Sequence, residues 1–228
     1  MSKKAFILYS GGKDSHYALI KALELGYDVK KLLIVNPLRP DSWLFHTVNI
    51  KWSILHSKLL GIDYELMESS GLRDYEVLEL RRKFNNLRSY GFKYVVSGVI
   101  SSNYQKKVID SLCNELNLIH ITPLWGLNNY ELLKTEVKLL EFIIVAIQAY
   151  GLDTKWLGEK LTINNINEFI NICDKFGINP VGEGGEFETF VVSSPLFDNK
   201  RICIKSCRKV WYPNQWVGYL IIENAELC

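Results

Sequence analysis

The residues best suited to chemistry stand in two short runs, Ser10-Gly11-Gly12-Lys13-Asp14-Ser15 near the start and Glu183-Gly184-Gly185-Glu186-Phe187-Glu188-Thr189 near the end. In the first, adjacent glycines let backbone N–H groups approach an anion without Cβ obstruction, and a following helix adds the positive end of its dipole. Ser10 and Ser15 supply hydroxyl donors, and Lys13 supplies a point charge suited to phosphate oxygens. Asp14 would repel a phosphate, so its expected role is to cap the helix or to hold Mg²⁺. The second run puts three carboxylates and two glycines into seven residues, with Phe187 in the middle and an apolar stretch behind. A solvated acidic turn is the plain reading. A loop held against the body, with Glu183, Glu186 and Glu188 facing a cation or a metal, is the functional one.

The elements that must position these runs follow from hydrophobic patterning. The first 120 residues alternate strand and helix signals: strands over Ala5–Tyr9, Val29–Val35, Asp63–Met67, Tyr94–Val96 and Leu118–Ile121, and helices over Tyr17–Leu25, Thr47–Leu60, Asp74–Tyr90 and Asn103–Leu116. Short connections between such elements imply a parallel sheet covered on both faces, with ligands bound beyond the carboxyl ends of its strands. Ser10–Ser15 follows the first strand, where a phosphate loop belongs. It is neither a Walker A loop, which would need glycine where Ile7 stands and Ser or Thr where Asp14 stands, nor a Gly-x-Gly-x-x-Gly fingerprint. From Pro123 the pattern changes to helices over Glu131–Leu140 and Asn165–Phe176 and strands over Phe142–Gln148, Phe187–Val192, Ile202–Trp211 and Trp216–Glu223. The expected fold is therefore α/β, a five-stranded parallel nucleotide-binding sheet over residues 1–122 with a smaller α+β domain over 123–228.

Composition bounds the partners. The 228 residues carry 27 Lys or Arg and 25 Asp or Glu, a net charge of +2 that argues against a dedicated nucleic-acid or membrane-surface binder. Five basic residues do cluster, at Lys200, Arg201, Lys205, Arg208 and Lys209; a solvated edge strand accounts for them, as does a surface facing an acidic protein or RNA. The five cysteines, Cys113, Cys173, Cys203, Cys207 and Cys228, form no C-x-x-C pair and read as reduced thiols. The longest apolar run, Phe142–Ile147, is far below the ~18 residues of a membrane span. A cytoplasmic protein is expected.

Ser-Gly-Gly-x-Asp-Ser resembles the pyrophosphate loop of the N-type ATP pyrophosphatases, whose sheet is of the adenine nucleotide alpha hydrolase (HUP-like) type. Further motifs narrow the resemblance: Phe45-His46-Thr47, the run from Val96 through Ser97, Gly98 and Val99 to Tyr104 and Gln105, Pro123-Leu124-Trp125, Leu152-Asp153, Trp156-Leu157-Gly158 and the Glu183–Thr189 run. In this order they are similar to the diphthine–ammonia ligase family, in its compact archaeal-type form. The resemblance covers residues 5 to about 200, and its acidic Gly-Gly motif is the most specific part.

That resemblance implies ATP-dependent amidation, with ammonium, of the diphthine carboxylate on translation elongation factor 2, through an acyl-adenylate, giving diphthamide, AMP and pyrophosphate. ATP and Mg²⁺ are the implied cofactors, with Asp14 as metal ligand and Lys13, Asp14 and Glu186 as catalytic residues. Ser10, Gly11, Gly12, Lys13, Asp14 and Ser15 would hold the phosphates; Val35, Asn36, Ser97, Gly98 and Val99 would surround the nucleoside by position. His46 is read either as a packing residue or as a contact to the adenylate. Tyr104, Gln105, Trp125, Glu183, Gly184, Gly185, Glu186, Glu188 and Thr189 are the expected substrate side. There an aromatic ring, Trp125 or Trp156, and a carboxylate would receive the trimethylammonium group of diphthine. No membrane and no direct nucleic-acid partner are expected. A tRNA-modifying pyrophosphatase of the thiolation type and a non-catalytic nucleotide-binding partner of a translation factor remain the alternatives.

Overall fold

The computed structural model describes residues 3–39 and 48–228. By internal contacts they fall into two units, one of residues up to Ser10 and Asp14–Trp125, the other of Gly11–Lys13 and Gly126–Cys228.

The first unit is built on a five-stranded parallel sheet in the order β3-β2-β1-β4-β5. Its strands are β1 (Lys4–Leu8), β2 (Asp28–Pro37), β3 (Asp63–Ser69), β4 (Tyr94–Val96) and β5 (Ile119–Ile121). Ala5, Phe6 and Ile7 of β1 and Leu32, Leu33 and Ile34 of β2 are fully buried, as expected of strands covered on both faces. The covering helices are α1 (Lys13–Glu24), α2 (Ile54–Leu60, entered through a 3-10 turn at Ile50–Ser53), α3 (Arg73–Ser89) and α4 (Asn103–Glu115). Phe84 of α3 meets Phe6 edge-to-face with ring centroids 5.1 Å apart, and Phe92 meets the same ring at 5.8 Å. Helix α4 is capped by Ser102, whose hydroxyl accepts from the Gln105 N–H.

The second unit has an antiparallel sheet in the order β7-β6-β9-β8, from β6 (Glu141–Gln148), β7 (Phe187–Ser193), β8 (Ile202–Tyr212) and β9 (Val217–Leu227), with helices α5 (Asn129–Leu139) and α6 (Ile166–Phe176). Central strand β6 buries Phe142, Ile144, Ala146 and Ile147 completely. Phe169 of α6 links the helix layer to the sheet, its ring 5.0 Å from Trp156 and 5.2 Å from Phe187, both edge-to-face. The Asn128 side chain caps α5 by accepting from the N–H groups of Tyr130 and Glu131.

Cysteine pairing departs from the reduced state expected of the sequence. Cys203 and Cys228 form a disulfide, while Cys113, Cys173 and Cys207 are free. The reason is local: the chain end pairs with the residue before β8 through reciprocal backbone bonds between Arg201 and Cys228, 2.9 and 3.0 Å long. Sequence spacing carries no sign of that register. Among the described residues no helix is long and apolar enough to cross a membrane.

Candidate functional site

The Ser10–Ser15 loop begins where β1 ends. Its first residue, Ser10, is fixed by the Ser53 hydroxyl donating to its carbonyl at 2.7 Å, and the Ser10 and Ser15 hydroxyls lie 3.1 Å apart. Ser10 N–H also donates to the Ser15 hydroxyl at 3.3 Å, so Ser15 at the start of α1 closes the loop back on itself. Gly98, on the segment after β4, passes so close that a Cβ there would lie 2.8 Å from the Ser15 nitrogen and 2.9 Å from the Asp14 carbonyl. Only glycine permits that approach of backbone to backbone. Ser10, Asp14, Ser15, Ser97 and Gly98 are thereby gathered at the carboxyl ends of β1 and β4. Val35 and Asn36 close neighbouring strand β2, Val35 buried and Asn36 half-buried. Val99 is buried, and Tyr104 and Gln105 are half-buried in the first turn of α4.

The middle of the loop, Gly11–Lys13, belongs by its contacts to the second unit. The Lys13 N–H donates to the Thr189 hydroxyl at 3.1 Å, and the Val191 N–H donates to the Gly11 carbonyl at 2.9 Å. The glycine loop and strand β7, which carries the acidic motif, are thus hydrogen-bonded to one another. Lys13, expected to offer its charge to phosphate oxygens, instead has a fully buried side chain. Its ammonium donates to the Val181 carbonyl at 2.8 Å, sits 3.5 Å from the Glu136 carboxylate and is 5.8 Å from the centre of the Phe187 ring.

The acidic motif is built as a turn against α6. Glu186 accepts at Oε1 from the Asn179 N–H at 3.2 Å, and its carbonyl accepts from the Gln148 N–H at 2.8 Å. Its Oε2 is buried without a hydrogen-bond partner among the described residues. A Cβ on Gly184 would lie 2.8 Å from Glu186 Oε1, so this glycine makes room for the carboxylate. Gly185 is exposed, Glu183 half-buried and Glu188 buried. The two tryptophans considered for a cationic ligand are differently placed. Trp156 is 2% exposed and packs on Phe169, while half-buried Trp125 already has the Lys106 ammonium 5.3 Å from its ring centre. His46 lies outside the described residues.

Two features escape a reading of the sequence. One is Glu136, a carboxylate on the buried face of α5 beside Leu132, Leu133 and Val137; a charged residue on an apolar stripe was the available signal. The other is a polar chain beside the loop. The Ser97 hydroxyl lies 2.8 Å from His120 Nε2, His120 Nδ1 lies 2.7 Å from Asp110 Oδ1, and Lys106 donates to Asp110 Oδ2 at 2.6 Å. Burial lowers the His120 pKa more than the Asp110 hydrogen bond and charge raise it. Burial pulls Asp110 upward, but hydrogen bonds from Lys106 and His120 outweigh it and hold the carboxyl below its ordinary value.

The basic run is divided by the structure. On edge strand β8, Lys205 pairs with Glu226 at 2.7 Å and Arg208 with Glu223 at 3.4 Å, so those charges are matched by β9. Lys200 and Arg201 instead line a cleft of about 730 Å³ with Lys138 and Lys160, in which Glu141 pairs with both Lys160 and Arg201.

Comparison with known proteins reads the same residues as a family. The diphthamide synthase N-terminal domain model matches residues 3–120, and the diphthamide synthase C-terminal domain model matches 128–228. A diphthine--ammonia ligase of Homo sapiens is 28% identical over 222 residues, covering 86% of this chain and 80% of the human one. One from Schizosaccharomyces pombe is 29% identical over 241 residues, covering 96% of this chain and 39% of its own. Among solved structures, a predicted subunit of tRNA methyltransferase from Methanocaldococcus jannaschii aligns over 84% of this chain and 97% of its own, with TM-score 0.46 and 17% identity. The chain belongs to the diphthamide synthase family.

Proposed function

We propose that the protein is an ATP-dependent diphthine–ammonia ligase, which amidates the diphthine carboxylate of elongation factor 2 with ammonium through an acyl-adenylate. The observation that carries this reading is the pair of hydrogen bonds from Lys13 to Thr189 and from Val191 to Gly11, 3.1 and 2.9 Å long. They tie the pyrophosphate-type loop to the strand bearing the family's acidic motif. Both bonds lie within the second unit, so the middle of the loop and the acidic motif belong to one folded unit.

The chemistry requires activation because a carboxylate offers ammonia no acceptable leaving group. Attack of the carboxylate oxygen on the α-phosphorus forms a mixed anhydride and releases pyrophosphate; ammonia then displaces AMP. In this reading Ser10, Gly11, Gly12 and Ser15 hold the pyrophosphate through hydroxyls, backbone N–H groups and the start of α1. Val35, Asn36, Gly98 and Val99 flank the nucleoside. Lys13 positions the loop through Thr189, Val181 and Glu136 instead of meeting the phosphates with its ammonium.

Mg²⁺ is usually held by one or two carboxylates together with phosphate oxygens. Among the described residues no three His, Cys, Asp or Glu side chains gather as a metal cage, and the Asp14 carboxylate in the loop suits an ion shared with ATP. Bound there, Mg²⁺ would neutralise charge on the pyrophosphate. Glu186, with a buried oxygen at the turn, is the carboxylate for the substrate's trimethylammonium group, alongside Glu183 and Glu188, with Gly184 and Gly185 shaping the turn. Tyr104, Gln105 and Trp125 complete the expected substrate side. Cys113 and Cys173, the helical thiols, are pushed up to about 12 by burial and are poor nucleophiles.

The test is incubation with ATP, Mg²⁺, ammonium and diphthine-bearing elongation factor 2. Release of AMP with the mass change of one amide on the factor supports the reading. AMP produced only with tRNA, or tight ATP binding without AMP, refutes it.

A further inference from the structure

A ligase that uses ammonium must first take a proton from it, because the ion has no lone pair with which to attack. The Lys106–Asp110–His120–Ser97 chain has the connectivity for that task. Ionised Asp110 only accepts, so the proton of neutral His120 stands on Nδ1; Nε2 is then the acceptor, and the Ser97 O–H donates to it at 2.8 Å. With its hydrogen committed to His120, the Ser97 oxygen offers lone pairs to any further partner. It therefore suits an N–H donor and not a phosphate oxygen. Ser97 is 2% exposed, which favours a small ligand. Its neighbour Gly98 abuts Asp14 and Ser15, so the chain ends at the rim of the phosphate loop.

We propose that Ser97, backed by His120 and Asp110, binds ammonium and relays its proton. This rests on the amide-ligase reading and deepens it. One N–H bond of ammonium breaks as its proton passes to Ser97 Oγ, while the Ser97 hydroxyl proton passes to His120 Nε2. Ammonia and an imidazolium paired with Asp110 result. The ammonia lone pair forms the C–N bond to the acyl carbon, and the C–O bond to AMP breaks. AMP leaves as its anion, the surplus N–H proton goes to water, and His120 later returns its proton to solvent.

The groups facing His120 agree with this. Burial keeps the ring neutral near neutral pH, opposed by Asp110 and aided by the Lys106 charge. Cys113, one turn along α4 from Asp110, is held as an uncharged thiol by its burial. Ser97 touches the ligand; His120 and Asp110 act through it as positioning residues. The arrangement of a hydroxyl, a base within hydrogen-bond reach and a third group orienting the base is the general pattern for activating a weak partner.

The experiment compares two nucleophiles on the full chain with ATP, Mg²⁺ and the diphthine-bearing factor: ammonium, charged at neutral pH, and hydroxylamine, uncharged there. In His120→Gln, amide formation from ammonium should fall about 100-fold at neutral pH and recover as pH rises and free ammonia accumulates. Hydroxamate formation from hydroxylamine should stay near the wild-type rate. Ser97→Ala should reproduce that split, and Ser97→Thr, which keeps the hydroxyl, should restore ammonium use. Equal loss with both nucleophiles in variants that melt like wild type, or an unchanged pH profile, overturns the relay alone. A wild-type protein that forms neither product overturns the amide-ligase reading itself.

Discussion

The buried Lys13–Glu136 pair gives the sharpest stability test. Both side chains are fully buried, 3.5 Å apart, and the lysine sits in the glycine loop. Glu136→Gln keeps the shape and removes the charge, so the buried ammonium keeps the Val181 carbonyl and loses the Glu136 carboxylate. Breaking a buried pair from one side costs about 3–5 kcal/mol, because the remaining charge is uncompensated. At roughly 2–4 °C per kcal/mol for a chain of this size, the melting temperature should fall by about 6–20 °C. Trp156, Trp211 and Trp216 lie in the second unit and Trp52 and Trp125 in the first, so urea unfolding followed by tryptophan fluorescence reports on the unit that contains the pair together with its neighbour. The double replacement Lys13→Met with Glu136→Leu should recover most of the loss, since no charge then needs a partner. Loss below about 1 kcal/mol in Glu136→Gln, or simple additivity in the double variant, would refute the claim that the charges depend on each other.

Other outcomes follow from the same geometry. Gly98→Ala places a Cβ 2.8 Å from the Ser15 backbone nitrogen; it should cost about 1–3 kcal/mol of stability and weaken ATP binding measured by calorimetry, and unchanged ATP affinity would contradict the close approach. Asp14→Ala should abolish AMP production and remove any Mg²⁺ dependence of ATP binding, whereas full turnover would remove Asp14 from the metal site. Glu186→Gln should weaken binding of the diphthine-bearing factor while leaving ATP affinity intact; weakened ATP binding would reassign the residue. For His120 the folded pKa is lowered from the ordinary 6.5, so its contribution to stability is present above pH 6.5 and lost as pH falls through the folded value. A melting-temperature series should decline below about pH 6.5, less steeply in His120→Gln; equal slopes would discount the residue.

Much of the architecture was legible because the signals were local. Continuous apolar runs such as Phe6–Leu8 and Leu32–Val35 mark strands buried on both faces, and of the α3 residues whose spacing points inward, Val77, Leu80, Phe84 and Leu87 join the core while Leu78 is exposed. The loop at Ser10–Ser15 was legible for the same reason, since a strand, two glycines and a helix start are adjacent in the chain. What remained hidden depends on residues distant in sequence. Lys13 reads as a phosphate ligand until Glu136, 123 positions later, is seen beside it. His120 reads as one strand residue between two isoleucines until Ser97 and Asp110 converge on its two nitrogens. The Cys203–Cys228 bond depends on which strand the chain end pairs with, and spacing does not encode that. Trp156, an attractive ring for a cation by motif, is enclosed by the packing of α6.

The central claim, that a substrate carboxylate is activated as an adenylate at the Ser10–Ser15 loop, is tested most directly by isotope transfer. Diphthine-bearing factor labelled with ¹⁸O in the diphthine carboxylate is converted with unlabelled ATP and ammonium, and the AMP is weighed by mass spectrometry. The account predicts AMP carrying a single ¹⁸O from the carboxylate and unlabelled pyrophosphate. AMP without label, or label in a phosphate released from the γ-position, would contradict it.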